Sequence, residues 1–269
     1  WAWDPVENAS FLPWCTATAF LHSVMVHERR DMLKGWNAFL IILTFFLTIW
    51  GTWMTRSGVV ESVHAFAGGN IGIKFQFFML FIGAIGLFFL FFRSREMRST
   101  NRIDSLLSRE AAFYLNNLVL VVIALAIAIL SFWSKITHDF AAEKSTLREF
   151  HYNLVMTPFF ALLLFLTAVG PGLGWVKTSP TALRRNFVKP ALATVGFLIV
   201  LYGWWQATDR LGTWHEVLVP RLEEQHPTAL YPTGLFLALA FFICAALFSE
   251  FYRSVTARVR FRKEDMASA

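Results

Sequence analysis

The sequence has 269 residues, 56% of them hydrophobic, 17% aromatic and only 16% charged, with 29 Phe and 11 Trp. A soluble domain is nearer about 45–50% apolar and about 25% charged, so the composition excludes a single water-soluble core and points to an all-α, polytopic membrane bundle. The net charge of +6 and pI of about 9.6 imply no nucleic-acid partner, because the basic residues lie between the apolar runs, where membrane topology accounts for them.

The chain opens on a stretch with Trp1, Trp3, Asp4, Pro5, Glu7, Asn8, Pro13 and Trp14, set directly against a long apolar run. Three tryptophans, two carboxylates and two prolines in so short a space suit an amphipathic platform at a membrane surface. A broad aromatic face with a few polar groups also suits a flat apolar macrocycle such as a porphyrin. The chain begins inside this stretch, without an initiator Met, and reads as a piece of something longer.

Apolar runs follow at about 8–27, 36–55, 71–92, 111–133, 153–173, 190–207 and 229–249. Each is long enough to span a bilayer as a helix, and in lipid only a helix pairs every backbone group within such a run. One set of loops carries Arg29, Arg30 and Lys34, then Arg93, Arg95, Arg98, Arg102 and Arg109, then Lys177, Arg184, Arg185 and Lys189, and finally Arg253, Arg258, Arg260, Arg262 and Lys263. The alternate set carries only Arg56, then Lys135, Lys144 and Arg148, then Arg210 and Arg221. Positive charge is retained on the cytoplasmic side, which predicts Trp1 outside and Ala269 inside. The first 67 residues then form an outer segment with a helical hairpin, and residues 68–269 the remaining bundle of about five spans.

Smaller signals punctuate these runs. Ser108, Arg109 and Glu110, leading to Asn116 and Asn117, read as a helix start with a charged cap. The Pro171-Gly172-Leu173-Gly174 stretch ends the fifth span, and Pro190 is expected to open the sixth, where a missing N–H costs nothing. Segments 134–152 and 208–228 read as external loops. Cys15 and Cys244 have no CxxC or CxxCH spacing and are expected to be small buried hydrophobes. No Ser/His/Asp set, phosphate loop, HExxH or zinc spacing is present, which removes hydrolytic and nucleotide-driven chemistry.

Two histidines ask for a reason. His22 lies inside the first span, where an ionisable side chain is costly and faces a cavity or a partner. Neutral imidazole is a good axial ligand for haem iron, and a hydrogen bond to a neighbouring helix is the competing explanation. His64 lies on the outer face between Gly58 and Gly68-Gly69, where a solvated loop histidine is the plain alternative to a ligand.

The opening Trp1–Ser10 stretch resembles the tryptophan-rich WWD motif of the haem-handling proteins, in the form found in the CcmF family of system I cytochrome c maturation. Thr55–Ala67, Ser108-Arg109-Glu110 and Asn116-Asn117 also resemble that family in order and spacing, so the likeness covers about residues 1 to 120. The resemblance implies a haem lyase that takes haem from the chaperone CcmE and attaches it to the CxxCH thiols of apocytochrome c, working with CcmH/CcmI-type proteins in a bacterial inner membrane, or in a mitochondrial one. It implies that the WWD surface, with Trp1, Trp3, Asp4, Pro5, Glu7, Asn8 and Trp14, carries substrate haem with His64 as an iron ligand. It also implies that His22 ligates a separate b-type haem within the membrane. The matching external histidine is expected before Trp1 and the matching membrane histidine after Ala269, so this chain holds half of each site. Catalytic residues are not implied. A CcmC-like haem-transfer protein is the nearest alternative, disfavoured by the five further spans after His64, and a transporter or scaffold without haem is the other.

Overall fold

The computed structural model describes residues 3–59, 71–141, 147–209 and 230–262, and every long regular element among them is an α-helix. In chain order these are α1 (Pro5–Arg30), α2 (Lys34–Arg56), α3 (Ile71–Phe92), α4 (Arg109–Ser131), α5 (Trp133–Ala141), α6 (Glu149–Val169), α7 (Pro180–Asp209) and α8 (Leu230–Arg262), with a 3₁₀ turn at Gly170–Gly172. All but α5 are long and apolar enough to cross a membrane, which makes seven such helices among the described residues. The chain divides into two compact units, one of Trp1–Ile103 with Phe113–Phe159 and the other of Asp104–Ala112 with Phe160–Ala269.

In the first unit α1 buries Asn8, Ala9, Leu12, Cys15, Thr16, Ala19, Ser23 and Val26. The steps of three and four keep them on one face of a 3.6-residue helix. That face packs on α2, where the Thr44 hydroxyl donates to Thr16 Oγ1 at 2.8 Å and a Cβ on Gly51 would stand 3.1 Å from the Ala9 carbonyl oxygen. Close backbone approach of this kind does for membrane helices what hydrophobic burial does in water. Gly86 plays the same part between α2 and α3, since a Cβ there would meet Ile42 at 2.5 Å. Apart from its glycine contacts most of α3 is uncovered, with Phe77, Phe81, Phe91 and Phe92 all exposed, as a lipid-facing surface requires.

The α1–α2 turn passes through Asp31 and Leu33, both with left-handed backbone. Lys34 Nζ lies 2.8 Å from one Asp31 oxygen and donates to the other at 2.9 Å. Thr100 donates to the same carboxylate, and Asn101 donates to the Arg30 carbonyl. The Lys34 hydrogen bond is the main cause holding the Asp31 carboxyl below its ordinary range, assisted by Thr100 and the nearby positive charge and opposed by partial desolvation.

The second unit shows why the Ser108-Arg109-Glu110 stretch stands out. Ser108 Oγ accepts from Ala111 N at 3.2 Å, an N-cap on α4. Arg109 donates through Nε to the Leu173 carbonyl at 3.0 Å and through Nη2 to the Pro171 carbonyl, with its guanidinium over the Trp175 ring. Both Glu110 oxygens accept from Val176 N at 2.9 Å. Val176 has φ of 68°, so this carboxylate holds a turn that a β-branched residue resists. Elsewhere in the unit α7 and α8 pack through parallel Phe197 and Phe241 rings 4.3 Å apart, and Arg253 donates to Asn186 Oδ1.

Three expectations shift. The sixth span begins at Pro180, capped by Ser179, whose Oγ accepts from Ala182 N, and runs straight through a buried Pro190. The polar stretch before Pro190 continues the helix, which carries the proline in its interior at the cost of one backbone hydrogen bond and a crowded carbonyl one turn earlier. Segment 134–152 contains a helix, α5, with an i,i+4 pair between Lys135 and Asp139 at 2.8 Å. Cys15 is buried as expected but Cys244 is exposed, because α8 covers little of its apolar surface with protein. Segment 210–229, most of the expected external loop at 208–228, lies outside the described residues.

Glu110 is only 2% exposed, so Glu110→Ala leaves the Val176 N–H without its acceptor at a cost of about 1–3 kcal/mol. The expected result is a lower melting temperature for the full-length protein in detergent, with a smaller loss for Glu110→Gln, which keeps one acceptor oxygen.

Candidate functional site

The start of α1 is built by its own sequence. Asp4 is the N-cap, its Oδ1 accepting from Val6 N at 2.9 Å, with Pro5 at the first helical position and Glu7 in the first turn. An Asp followed by Pro and, three residues on, Glu is a helix-start signature, and it gives Asp4, Pro5 and Glu7 structural work in addition to any contact with a ligand. Trp3 has φ of 56°, which turns its ring onto Tyr152 at 5.2 Å and 15° while Nε1 donates to Asn153 Oδ1 at 2.9 Å. Asn8 is fully buried and donates to both the Trp3 carbonyl and Ser131 Oγ at 3.0 Å. Its Oδ1 and the Glu7 Oε2 are buried with no hydrogen-bond partner among the described residues.

The structure therefore brings Trp3, Asp4 and Asn8 together with Ser131, Tyr152 and Asn153. Trp14 is elsewhere, 54% exposed and stacked on Phe11, on a different side of α1 from Asn8. A groove of about 410 Å³ lies beside the cap between α1 and α2, lined by small residues such as Ala9, Ser10, Gly51 and Thr52. Trp1 and His64 lie outside the described residues.

His22 stands about 7 Å past the midpoint of α1 at 1.5 Å per residue, inside the roughly 15 Å half-thickness of a bilayer core. Its Nδ1 is 2.7 Å from Asn116 Nδ2 on α4, and its ring packs on Phe113 at 5.5 Å. Two contacts fix the pairing of these helices, Asn8 with Ser131 and His22 with Asn116. Fourteen steps forward along α1 match fifteen steps back along α4, so the pair runs antiparallel and in register. Beside the histidine, Ser23 Oγ is buried without a partner among the described residues, and one step beyond Asn116 so are both side-chain polar atoms of Asn117.

No group of three or more His, Cys, Asp or Glu side chains able to hold a bare metal ion comes together among the described residues. What the site offers is a single imidazole in an apolar span with one nitrogen engaged, and that donor set fits one axial position of a haem. Sequence reasoning missed Ser131, Tyr152 and Asn153 as partners of the opening motif. It noted Asn116 only as part of a pattern, although an amide inside an apolar run was a signal in itself.

The fold and site define a polytopic helical membrane protein that carries an amide-held histidine within its spans. Residues 1–60 match the family model described as cytochrome C assembly protein. The chain is 35% identical over 204 residues to the cytochrome c-type biogenesis protein CycK of Bradyrhizobium diazoefficiens, covering 76% of this chain and 31% of that protein. It is 33% identical over 203 residues to the cytochrome c-type biogenesis protein CcmF of Escherichia coli, covering 75% and 31%. A solved structure of the cytochrome c haem lyase CcmF superposes with a TM-score of 0.66 at 28% identity, over 96% of this chain and 34% of that one. The chain belongs to the CcmF/CycK family of cytochrome c-type biogenesis proteins, and it spans about a third of the length of these relatives.

Because Asn8 ties α1 to both Trp3 and Ser131, Asn8→Ala is expected to destabilise the full-length protein by about 1–2 kcal/mol. Ser131→Ala removes one of the same bonds and is expected to add little in the double variant. Thermal unfolding of the single and double variants in detergent measures that coupling.

Proposed function

We propose that this chain is the haem-handling portion of a cytochrome c haem lyase, set in a bacterial inner membrane with Trp1 periplasmic and Ala269 cytoplasmic. The observation that carries the reading is a half-buried imidazole, His22, inside an apolar span, where an ionisable side chain is costly and marks a functional position; its contact with Asn116 also joins α1 to α4. The arginine-rich loops support the orientation, and the similarity to cytochrome c-type biogenesis proteins supports the pathway.

In this reading haem arrives from CcmE at the outer WWD surface, with His64 as an iron ligand there and Trp1 and Trp3 as parts of that surface. Apocytochrome c, presented by CcmH/CcmI-type proteins, supplies its two CxxCH thiols. Each thioether forms when a cysteine sulfur bonds to one vinyl carbon and its proton ends on the other, so no atom is taken from the protein. The protein's share is to hold the two partners in register and exclude competing geometry. Asp4 and Asn8 serve this by fixing the start of α1, which keeps Trp3 in place. When bound at His22, a b-type haem supplies one-electron redox chemistry within the membrane. His22 would hold that group through a ring nitrogen, with Phe113 packed on the imidazole to restrain it.

The two haem sites separate by mutation. In the full-length protein His64→Ala is expected to abolish assembly of c-type cytochromes while the b-haem absorbance remains. Wild-type maturation in that variant, measured by covalent haem staining of an expressed c-type cytochrome, would remove His64 from the mechanism.

A further inference from the structure

The geometry points to Asn116 as a positioning residue that sets the tautomer and ring orientation of His22. The inference rests on the reading of His22 as an axial haem ligand and adds a residue to that site.

A neutral imidazole has one N–H and one lone pair, and an amide side chain presents either a donor or an acceptor at nearly the same position. With Nδ2 of Asn116 donating to His22 Nδ1, the imidazole proton sits on Nε2, and no lone pair is left there for iron. With the amide turned so that Oδ1 faces the ring, Nδ1–H donates to it and the Nε2 lone pair is open. The 2.7 Å separation suits both arrangements, and only the second is competent to bind. Phe113, three residues before Asn116 and so on the same face of α4, packs against the ring at 5.5 Å with 39° between planes. One helix thus controls two properties of the ligand: Phe113 restrains the ring and Asn116 selects the nitrogen. Asn116 is itself 6% exposed, so water does not compete for the contact.

The consequence is electronic as well as geometric. An acceptor on Nδ1–H makes Nε2 more basic and favours ferric iron, and loss of such outer partners commonly weakens metal binding about 10–100-fold. Replacing Asn116 with Leu removes the acceptor, and replacing it with Asp strengthens it in nearly the same shape.

The test uses the full-length protein purified in detergent, with the midpoint potential of the embedded b-haem read by optical redox titration and its retention by competition with apomyoglobin. Asn116→Leu is expected to raise the potential and weaken haem retention about 10–100-fold, and Asn116→Asp to lower the potential. A cavity or packing defect moves both variants the same way, so a common direction overturns the inference, as does a wild-type potential in both. If Asn116→Leu fails to accumulate, Asn116→Asp decides alone: a lowered potential supports the role and an unchanged or raised one overturns it. His22→Ala separates the two levels. Retention of the full b-haem spectrum there overturns the underlying ligand reading. Its loss, together with unperturbed Asn116 variants, overturns only the role of Asn116.

Discussion

Two polar contacts made inside apolar helices tie α1 to α4 in the first unit. Asn8 reaches Ser131 and His22 reaches Asn116, and these lock α1 antiparallel to α4. In a bilayer, apolar side chains give helices little reason to prefer one neighbour over lipid, so hydrogen bonds and close small-residue packing choose the partners. The same two contacts carry the candidate functional residues. One holds the capped end of α1 with Trp3, and the other holds the half-buried histidine.

This economy explains why the opening motif is more than a surface. Asp4 and Pro5 start a helix, Trp3 is pinned by a stack and a hydrogen bond, and Asn8 connects both to the bundle. In the proposed reading this rigidity would suit a platform for a flat macrocycle. The second unit follows similar logic around Arg109 and Glu110, whose side chains satisfy the backbone of the 171–176 turn.

The seven spans and the break after the fifth were legible in the sequence because a run of apolar residues near bilayer length has only one way to satisfy its backbone. The place of His22 within the first long helix was legible for the same reason. Its partner was not, since helical periodicity assigns a face and does not say which helix lies against it. Pro190 misled because a proline reads as a helix start, whereas the Ser179-Pro180 pair was the stronger signal. Tyr152 and Asn153 were hidden by distance along the chain: they meet Trp3 only through tertiary packing.

The central claim is that α1 carries an iron-ligating imidazole at His22, and the most direct measurement is chemical rescue. The full-length protein carrying His22→Ala is purified, its reduced b-haem spectrum recorded, and free imidazole titrated in. The account predicts a lost or five-coordinate spectrum that returns to the six-coordinate form as imidazole fills the vacated position. A wild-type spectrum before any imidazole is added would contradict it.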